Sequence, residues 1–181
     1  MSDSAPVPAE AGRPVKRRAA ARIVVLAERE VLLIQDSDPG VPGSRWWVTP
    51  GGGVDEGESV AEAAARELFE ETGLEVAPTA LEGPLLRRRV VHGYSDRILV
   101  QDEHFFRIRT DRFDPRHVEL TPTEQERLLD MRWHDVGHLP SPLWPSDLHR
   151  LITAGAELDP VPWVEESTVP VAGELTPGRD A

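Results

Sequence analysis

Between Gly52 and Leu74 the chain carries Glu58, Arg66, Glu67, Glu70 and Glu71 at fixed offsets, with Gly51, Gly52 and Gly53 at the front and Gly73 behind. On a helix, Glu67, Glu70 and Glu71 fall within an arc of about 100°. Three carboxylates this close repel one another unless a positive charge sits among them. Clustered hard oxygen donors suit magnesium or manganese, not zinc. Arg66 stands one turn before Glu70, where it can pair with that glutamate and orient its neighbours. Glu58 can reach back towards the same cluster. The three glycines let the backbone turn sharply and bring its carbonyl or amide groups close to a ligand. The chemistry open to such a set is to hold a divalent cation against a phosphate chain.

A helix must position these groups, and the chain specifies one. Ser59 is a good N-cap and Glu62 completes a capping box. Ala61, Ala63, Ala64 and Ala65 favour the helix, nothing breaks it before Thr72, and Gly73 can end it in the left-handed conformation. Ala61, Ala64, Ala65, Leu68 and Thr72 form the stripe expected to face a core. Around this helix, Arg22–Ala27 and Val31–Asp36 read as a hairpin across Glu28-Arg29-Glu30. Ser37–Arg45 is a Pro/Gly loop, and Trp46–Thr49 is a short strand that delivers the chain to the glycines. Leu85–Val91 and Arg97–Arg109 read as two further strands, Arg132–His134 as a last one, and Ser146–Ala154 as a closing helix capped by Ser146 or Asp147. No internal repeat is present. Residues 1–18 read as a disordered tail, within which Lys16-Arg17-Arg18 could touch a phosphate but reads first as solvated. Residues 19–156 form the folded domain, and 157–181 a Pro-rich C-terminal tail.

The segment from Gly52 resembles the signature of the Nudix (MutT-like) hydrolases, G-x5-E-x7-R-E-U-x-E-E-x-G-U with U aliphatic. Gly52, Glu58, Arg66, Glu67, Leu68, Glu70, Glu71, Gly73 and Leu74 match at every defined position. The resemblance implies an α/β fold, an α/β/α sandwich with a mixed β-sheet, and hydrolysis of a nucleoside diphosphate linked to another group. It makes Glu67, Glu70 and Glu71 metal ligands, with backbone help at Gly52, and Arg66 the residue that orients the glutamates. Related enzymes often add a glutamate from a loop, and here Glu124 and Glu126, just before the strand at Arg132–His134, are the candidates. The other reading of that segment is a short helix capped by Thr123 with both glutamates in its first turn.

Phosphoanhydride cleavage needs little beyond these groups. Mg²⁺ (or Mn²⁺) neutralises the phosphate oxygens and helps a water lose its proton, and a carboxylate takes that proton. Glu67, Glu124 and Glu126 remain open as that base. For the rest of a nucleotide, Trp46 and Trp47 alternate strand faces, so one packs inward while the other can cover the site mouth and stack on a base, although plain core or rim packing is the readier reading of each alone. Arg87 and Arg89 share a strand face and are candidates for phosphates remote from the metal, or a solvated edge. Within the resembled family, ADP-ribose hydrolases tend to carry a proline where this chain has Val90, with Pro84 too early. Tyr94 falls too late for the tyrosine of dinucleoside-polyphosphate hydrolases. The nucleotide and its leaving group therefore stay open.

Composition bounds the rest. The 181 residues fit one domain, and 32 acidic against 20 basic residues give a formal charge of −12. Such a surface disfavours long nucleic acids as partners but not a small phosphorylated nucleotide screened by metal. With no cysteine there is no disulfide framework, thiol nucleophile or Cys-based zinc site. The six histidines show no metal-ligand spacing. No apolar run long enough for a membrane span and no signal-peptide core is present, so no membrane partner and a cytoplasmic location are expected. The resemblance adds a possible homodimer. It also carries two alternatives: a non-catalytic nucleotide-binding sensor, against which the complete box argues, and an isoprenoid-diphosphate isomerase, whose chemistry commonly uses a cysteine this chain lacks.

Overall fold

The computed structural model describes residues 12–175; most of the expected N-terminal tail and the end of the C-terminal one lie outside the described residues. Among the described residues nine strands make one mixed sheet. They are β1 (Val15–Ala27), β2 (Glu30–Asp36), β3 (Trp46–Val48), β4 (Gly51–Gly53), β5 (Glu82–Gly93), β6 (Ile98–Arg109), β7 (Asp130–Asp135), β8 (Leu143–Trp144) and β9 (Val161–Glu165). The order is β8-β3-β2-β1-β6-β5-β9, with β4 added to β1 and β7 to β2. β1 and β2 make the expected hairpin, and β1 also runs parallel to β6 from Val15↔Ile98 to Leu26↔Arg109.

Both faces of the sheet are covered, which is why its central strands read as unbroken apolar runs. Successive side chains point to opposite faces, so one run feeds two cores. Val24, Leu26, Val31, Leu33 and Phe105 face Leu148, Leu151 and Ile152 of α3 (Leu148–Thr153). Ile23, Val25, Leu32 and Phe106 face Ala63, Ala64 and Leu68 of α1 (Val60–Thr72). A third helix, α2 (Pro122–Arg127), leads into β7. The result is the expected α/β/α sandwich.

The sheet reaches further into both ends of the chain than composition implies. β1 begins at Val15, inside the stretch read as a tail, because Pro14 O accepts from Ile98 N and Arg13 is tied down. Arg13 donates to the carbonyls of Tyr94, Val169 and Pro170 and pairs with Glu174. At the other end, β9 lies parallel to β5, and Glu166 just beyond it forms two hydrogen bonds to Arg88. A boundary at 19 therefore cuts through β1, and one at 156 leaves β9 outside the sheet it joins. A strand added at an edge is held by backbone pairing and single long-range ion pairs, neither of which shows in local composition.

Candidate active site

The helix that carries the acidic cluster forms as its caps dictate. Ser59 accepts from the Glu62 amide, Glu62 accepts from the Ser59 amide, and Gly73 closes α1 at φ 78°. The buried side of α1 is Ala63, Ala64, Glu67, Leu68, Glu71 and Thr72. The stripe expected to face the core is therefore rotated: Ala61 and Ala65 are only half buried, and Glu67 and Glu71 are turned inward. The cause is the glycine strand β4 beneath them. A Cβ on Gly52 would stand 2.5 Å from the Glu67 carboxylate, so only glycine leaves room for that group. The Gly51 amide donates to Glu71 Oε2 at 2.8 Å.

Arg66 ties the outer side of the cluster together. Its guanidinium bonds both oxygens of Glu58 at 2.9 Å, Glu67 at 2.9 Å, Glu70 at 3.3 Å and the Gly53 carbonyl at 2.9 Å. Glu67 and Glu71 are then met by Glu124 from α2, and one oxygen from each of the three lies within 4.8 Å of the other two. Burial pushes the Glu71 carboxyl up to about 8, against the pull of the Gly51 amide and with the push of Glu67. Burial also raises Glu67, although Arg66 opposes it. Crowded, desolvated carboxylates held on a preformed frame fit a hard divalent cation bound through oxygen. Glu70 lines the same cavity, but its carboxylate is turned to Arg66 and falls outside the trio.

The facing wall is made by strands. Arg22 on β1 donates to the Gly51 carbonyl at 2.9 Å and to Glu103 of β6 at 3.1 Å. Glu103, 1 % exposed, also accepts from Arg88 Nε at 2.8 Å, and Arg88 in turn meets Glu166. Burial alone would raise the Glu103 carboxyl, but Arg88, the neighbouring His92 and Arg22 hold it well below the usual carboxylate range. Arg127 of α2 pairs with both oxygens of Asp36 at the end of β2. Between the two walls lies a cavity of about 570 Å³, a volume in the range of small-molecule sites.

A family model described as the NUDIX domain matches residues 16–154. The chain belongs to the Nudix family. A Bacillus subtilis (strain 168) protein, the uncharacterized Nudix hydrolase YvcI, is 32 % identical over 129 residues, 71 % of this chain and 73 % of that one. The mouse oxidized purine nucleoside triphosphate hydrolase is 34 % identical over 106 residues, and the match spans 58 % of this chain and 60 % of the relative. Among solved structures, the MutT NUDIX hydrolase from Burkholderia pseudomallei superposes with a TM-score of 0.52 at 25 % identity, over 77 % of this chain and 99 % of that one. As a Nudix hydrolase the protein acts on phosphoanhydride bonds, and the divalent metal typical of the family has a fitting acidic cluster in Glu67, Glu71 and Glu124.

The Nudix frame brings together only some of the residues singled out by sequence. Arg66, Glu67, Glu70, Glu71, Gly52 and Glu124 line one cavity. Glu124 fits the geometry of both readings: it caps α2 through a box with Thr121, not Thr123, and its carboxylate lies beside those of Glu67 and Glu71. Glu126, two residues on, lines a separate cavity with Ser37, Tyr94 and Arg97. Trp46 and Trp47 do not reach the site. Trp46 is stacked on Trp144 at 4.4 Å beside Tyr94, and Trp47 lies in the core under α3, because β3 is flanked by β2 and β8 and covered on both faces. Arg87 and Arg89 line a shallow surface away from the cavity, paired with Glu157 and Asp102. Arg22, Asp36 and Arg127, not singled out by sequence, and Arg18, placed by sequence in a mainly solvated tail, also line the cavity. Arg18 and Arg22 stand in β1 with their side chains on one strand face, a signal open only to a reader who starts that strand at Val15. Among the described residues no helix is long and apolar enough to cross a membrane.

Proposed function

We propose that this Nudix hydrolase is a Mg²⁺-dependent pyrophosphohydrolase of a small nucleotide, a nucleoside triphosphate or another nucleoside-diphosphate derivative. One observation carries the reading: three mutually close carboxylates and four arginines, Arg18, Arg22, Arg66 and Arg127, line one nucleotide-sized cavity. Glu67, Glu71 and Glu124 would hold the ion, with Glu70 and the Gly52 backbone beside them. A bound divalent cation supplies charge neutralisation at the phosphate oxygens and an acidified water. The chain's own groups do the rest. Arg66 fixes the carboxylates of Glu58, Glu67 and Glu70 in one geometry. Arg22 holds the Gly51 carbonyl, so the amide of the same residue stays aimed at Glu71. The proton of the attacking water goes to a carboxylate of the cavity, Glu67 or Glu124; Glu126, turned to another cavity, drops out of that role. The mouse relative's named substrate class, an oxidized purine nucleoside triphosphate, is compatible with the cavity.

The test is a panel of nucleotides incubated with the purified protein in Mg²⁺ and in EDTA, with phosphate and pyrophosphate release measured. The panel holds canonical and oxidised triphosphates, ADP-ribose, nucleotide sugars and dinucleoside polyphosphates. Mg²⁺-dependent release from one class, abolished in Glu71→Gln, is the expected result. Silence across the panel with nucleotide still bound would make the protein a binding module instead.

A further inference from the structure

Of the four guanidiniums lining the catalytic cavity, three are already neutralised by the protein. Arg66 meets Glu58, Glu67 and Glu70, Arg22 meets Glu103, and Arg127 meets Asp36. Arg18 differs. Among the described residues its one hydrogen bond runs from Nε to Gln101 Oε1 at 2.8 Å, and no carboxylate pairs with it. A neutral amide positions a guanidinium without cancelling its charge.

The position is built from behind. Gln101 on β6 is fully buried, stands opposite Arg18 in the β1–β6 register, and donates its Nε2 to Glu103 Oε1 at 3.3 Å. An ionised carboxylate only accepts, so Glu103 fixes which end of the amide faces Arg18: the oxygen. From below, Gly53 supplies the space. A Cβ there would stand 3.0 Å from Arg18 Nη1 and 3.3 Å from its Cδ, so the side chain lies flat on the glycine strand. That places it one residue along from Gly52, over which Glu67 sits. Both terminal amino groups of Arg18, unbonded to any described residue, are left to the cavity it lines.

We propose that Arg18 is the phosphate-gripping residue of this pocket: its two terminal amino groups bind oxygens of a phosphoryl group next to the one attacked at the carboxylate cluster. The proposal rests on the pyrophosphohydrolase reading and sharpens it. A guanidinium fork matches the paired oxygens of a phosphoryl group and binds them with charge-assisted hydrogen bonds. Arg18 therefore favours substrates whose neighbouring phosphoryl group is terminal and carries the extra charge, such as nucleoside di- and triphosphates, over those in which that group is esterified to a sugar.

The test compares wild type with Arg18→Gln and Arg18→Lys. Calorimetry with inorganic tripolyphosphate in Mg²⁺ reads binding directly, and steady-state kinetics on the substrate found by the panel read KM and kcat. Arg18 is open to solvent, so both variants should melt with the wild type, and Arg18→Lys alone suffices should Arg18→Gln fail to fold. The expected result is a weakening of tripolyphosphate binding and a rise in KM of about tenfold or more in Arg18→Gln. The loss is smaller in Arg18→Lys, and kcat changes far less than KM. Unchanged binding and KM in an Arg18 variant, beside a wild type that turns over its substrate, overturns the role of Arg18 alone. Wild type that binds tripolyphosphate through Arg18 yet hydrolyses nothing keeps the anion site and removes the enzymatic reading. Wild type that neither binds nor hydrolyses removes both.

Discussion

The two walls of the cavity are built on opposite plans. The helix wall draws Glu58, Arg66, Glu67, Glu70 and Glu71 from one short run of chain, and Arg66, with 28 % of its side chain exposed, bonds nothing more than 13 residues away. Behind the strand wall, Arg22 joins Arg88, Glu103 and Glu166, gathered from β1, β5, β6 and the end of β9, with partners separated by 15, 78 and 81 residues and Glu103 buried. On the helix wall the excess charge is negative and only partly met by protein. On the strand wall nearly every charge is paired inside the fold. One wall is thus shaped to receive a cation, and the other is shaped to hold the glycine strand against it, with Arg18 as its one uncancelled charge among the described residues.

The largest effect should come from unpairing the strand wall. Removing one partner of a buried charged network leaves the others desolvated without compensation, which costs about 3–5 kcal/mol. Glu103→Gln should lower unfolding stability at neutral pH by that order, while Glu58→Gln, facing the half-open Arg66, should cost about 1 kcal/mol or less. The pH dependence has a fixed sign. Glu103 is depressed in the fold, so its stabilisation is present above the ordinary carboxylate pKa and is lost as pH falls below it, by about 1.4 kcal/mol per pH unit. The gap between wild type and Glu103→Gln should therefore narrow on acidification below about pH 4.5. Urea unfolding at several pH values reads this, and equal midpoints for Glu58→Gln and Glu103→Gln would erase the contrast between the walls.

On the helix wall the large effect should be catalytic instead. Glu67→Gln and Glu71→Gln each remove a buried carboxylate from the trio and should lower kcat/KM by about a hundredfold or more, the scale of losing one preorganised electrostatic contact in a transition state. Glu70→Gln tests whether a carboxylate outside the trio joins the site when metal is present, and a loss matching that of Glu71→Gln would show that it does. Glu126→Gln should stay within about twofold, since no contact of Glu126 with the cavity exists to lose.

These contrasts also mark what the sequence could disclose. Caps, helix period and the glycines are local, so α1 and the composition of its acidic face were legible before any coordinates. The inward turn of Glu67 and Glu71 was not, because it depends on the glycine strand β4 pairing beside β1 and so lying under α1, a fact of sheet pairing. Arg18 was read as solvated tail for the same reason: its neighbour Gln101 lies 83 residues away, and only the parallel β1–β6 register joins them. Trp46 and Trp47 show the converse, core packing in place of a base-stacking role. Alternation along β3 was right, but a strand with a sheet neighbour on each side and both faces covered offers neither ring to a ligand.

A smaller effect should accompany metal binding. An ion that binds the folded trio stabilises the fold by mass action, about 1.4 kcal/mol at tenfold over its Kd. Mg²⁺ should raise the melting temperature of wild type by a few degrees over EDTA, and Glu71→Gln should lose most of that gain. A gain retained in Glu67→Gln and Glu71→Gln together would place the ion elsewhere and detach the helix wall from metal binding.

The smallest effect is expected at Arg89, and it tests where the polar core ends. Arg88 and Arg89 are adjacent on β5 and each faces an acid of β6, so sequence gives no reason to rank them. Alternation separates them. Arg88 points inward to Glu103 and Glu166, while Arg89 points outward and pairs with Asp102 at 2.7 Å on the surface, where Asp102 is 53 % exposed. Exposed pairs contribute about 0–1 kcal/mol because water competes for both charges and two flexible side chains must be held. Arg89→Ala should therefore cost less than about 1 kcal/mol in unfolding and leave KM unchanged. Arg88→Ala should cost several times more, as it strips a counter-charge from two buried glutamates. Equal losses at the two positions would mean that the ion pairs of this sheet act through its edge and not through its interior, and a raised KM in Arg89→Ala would return that residue to the substrate.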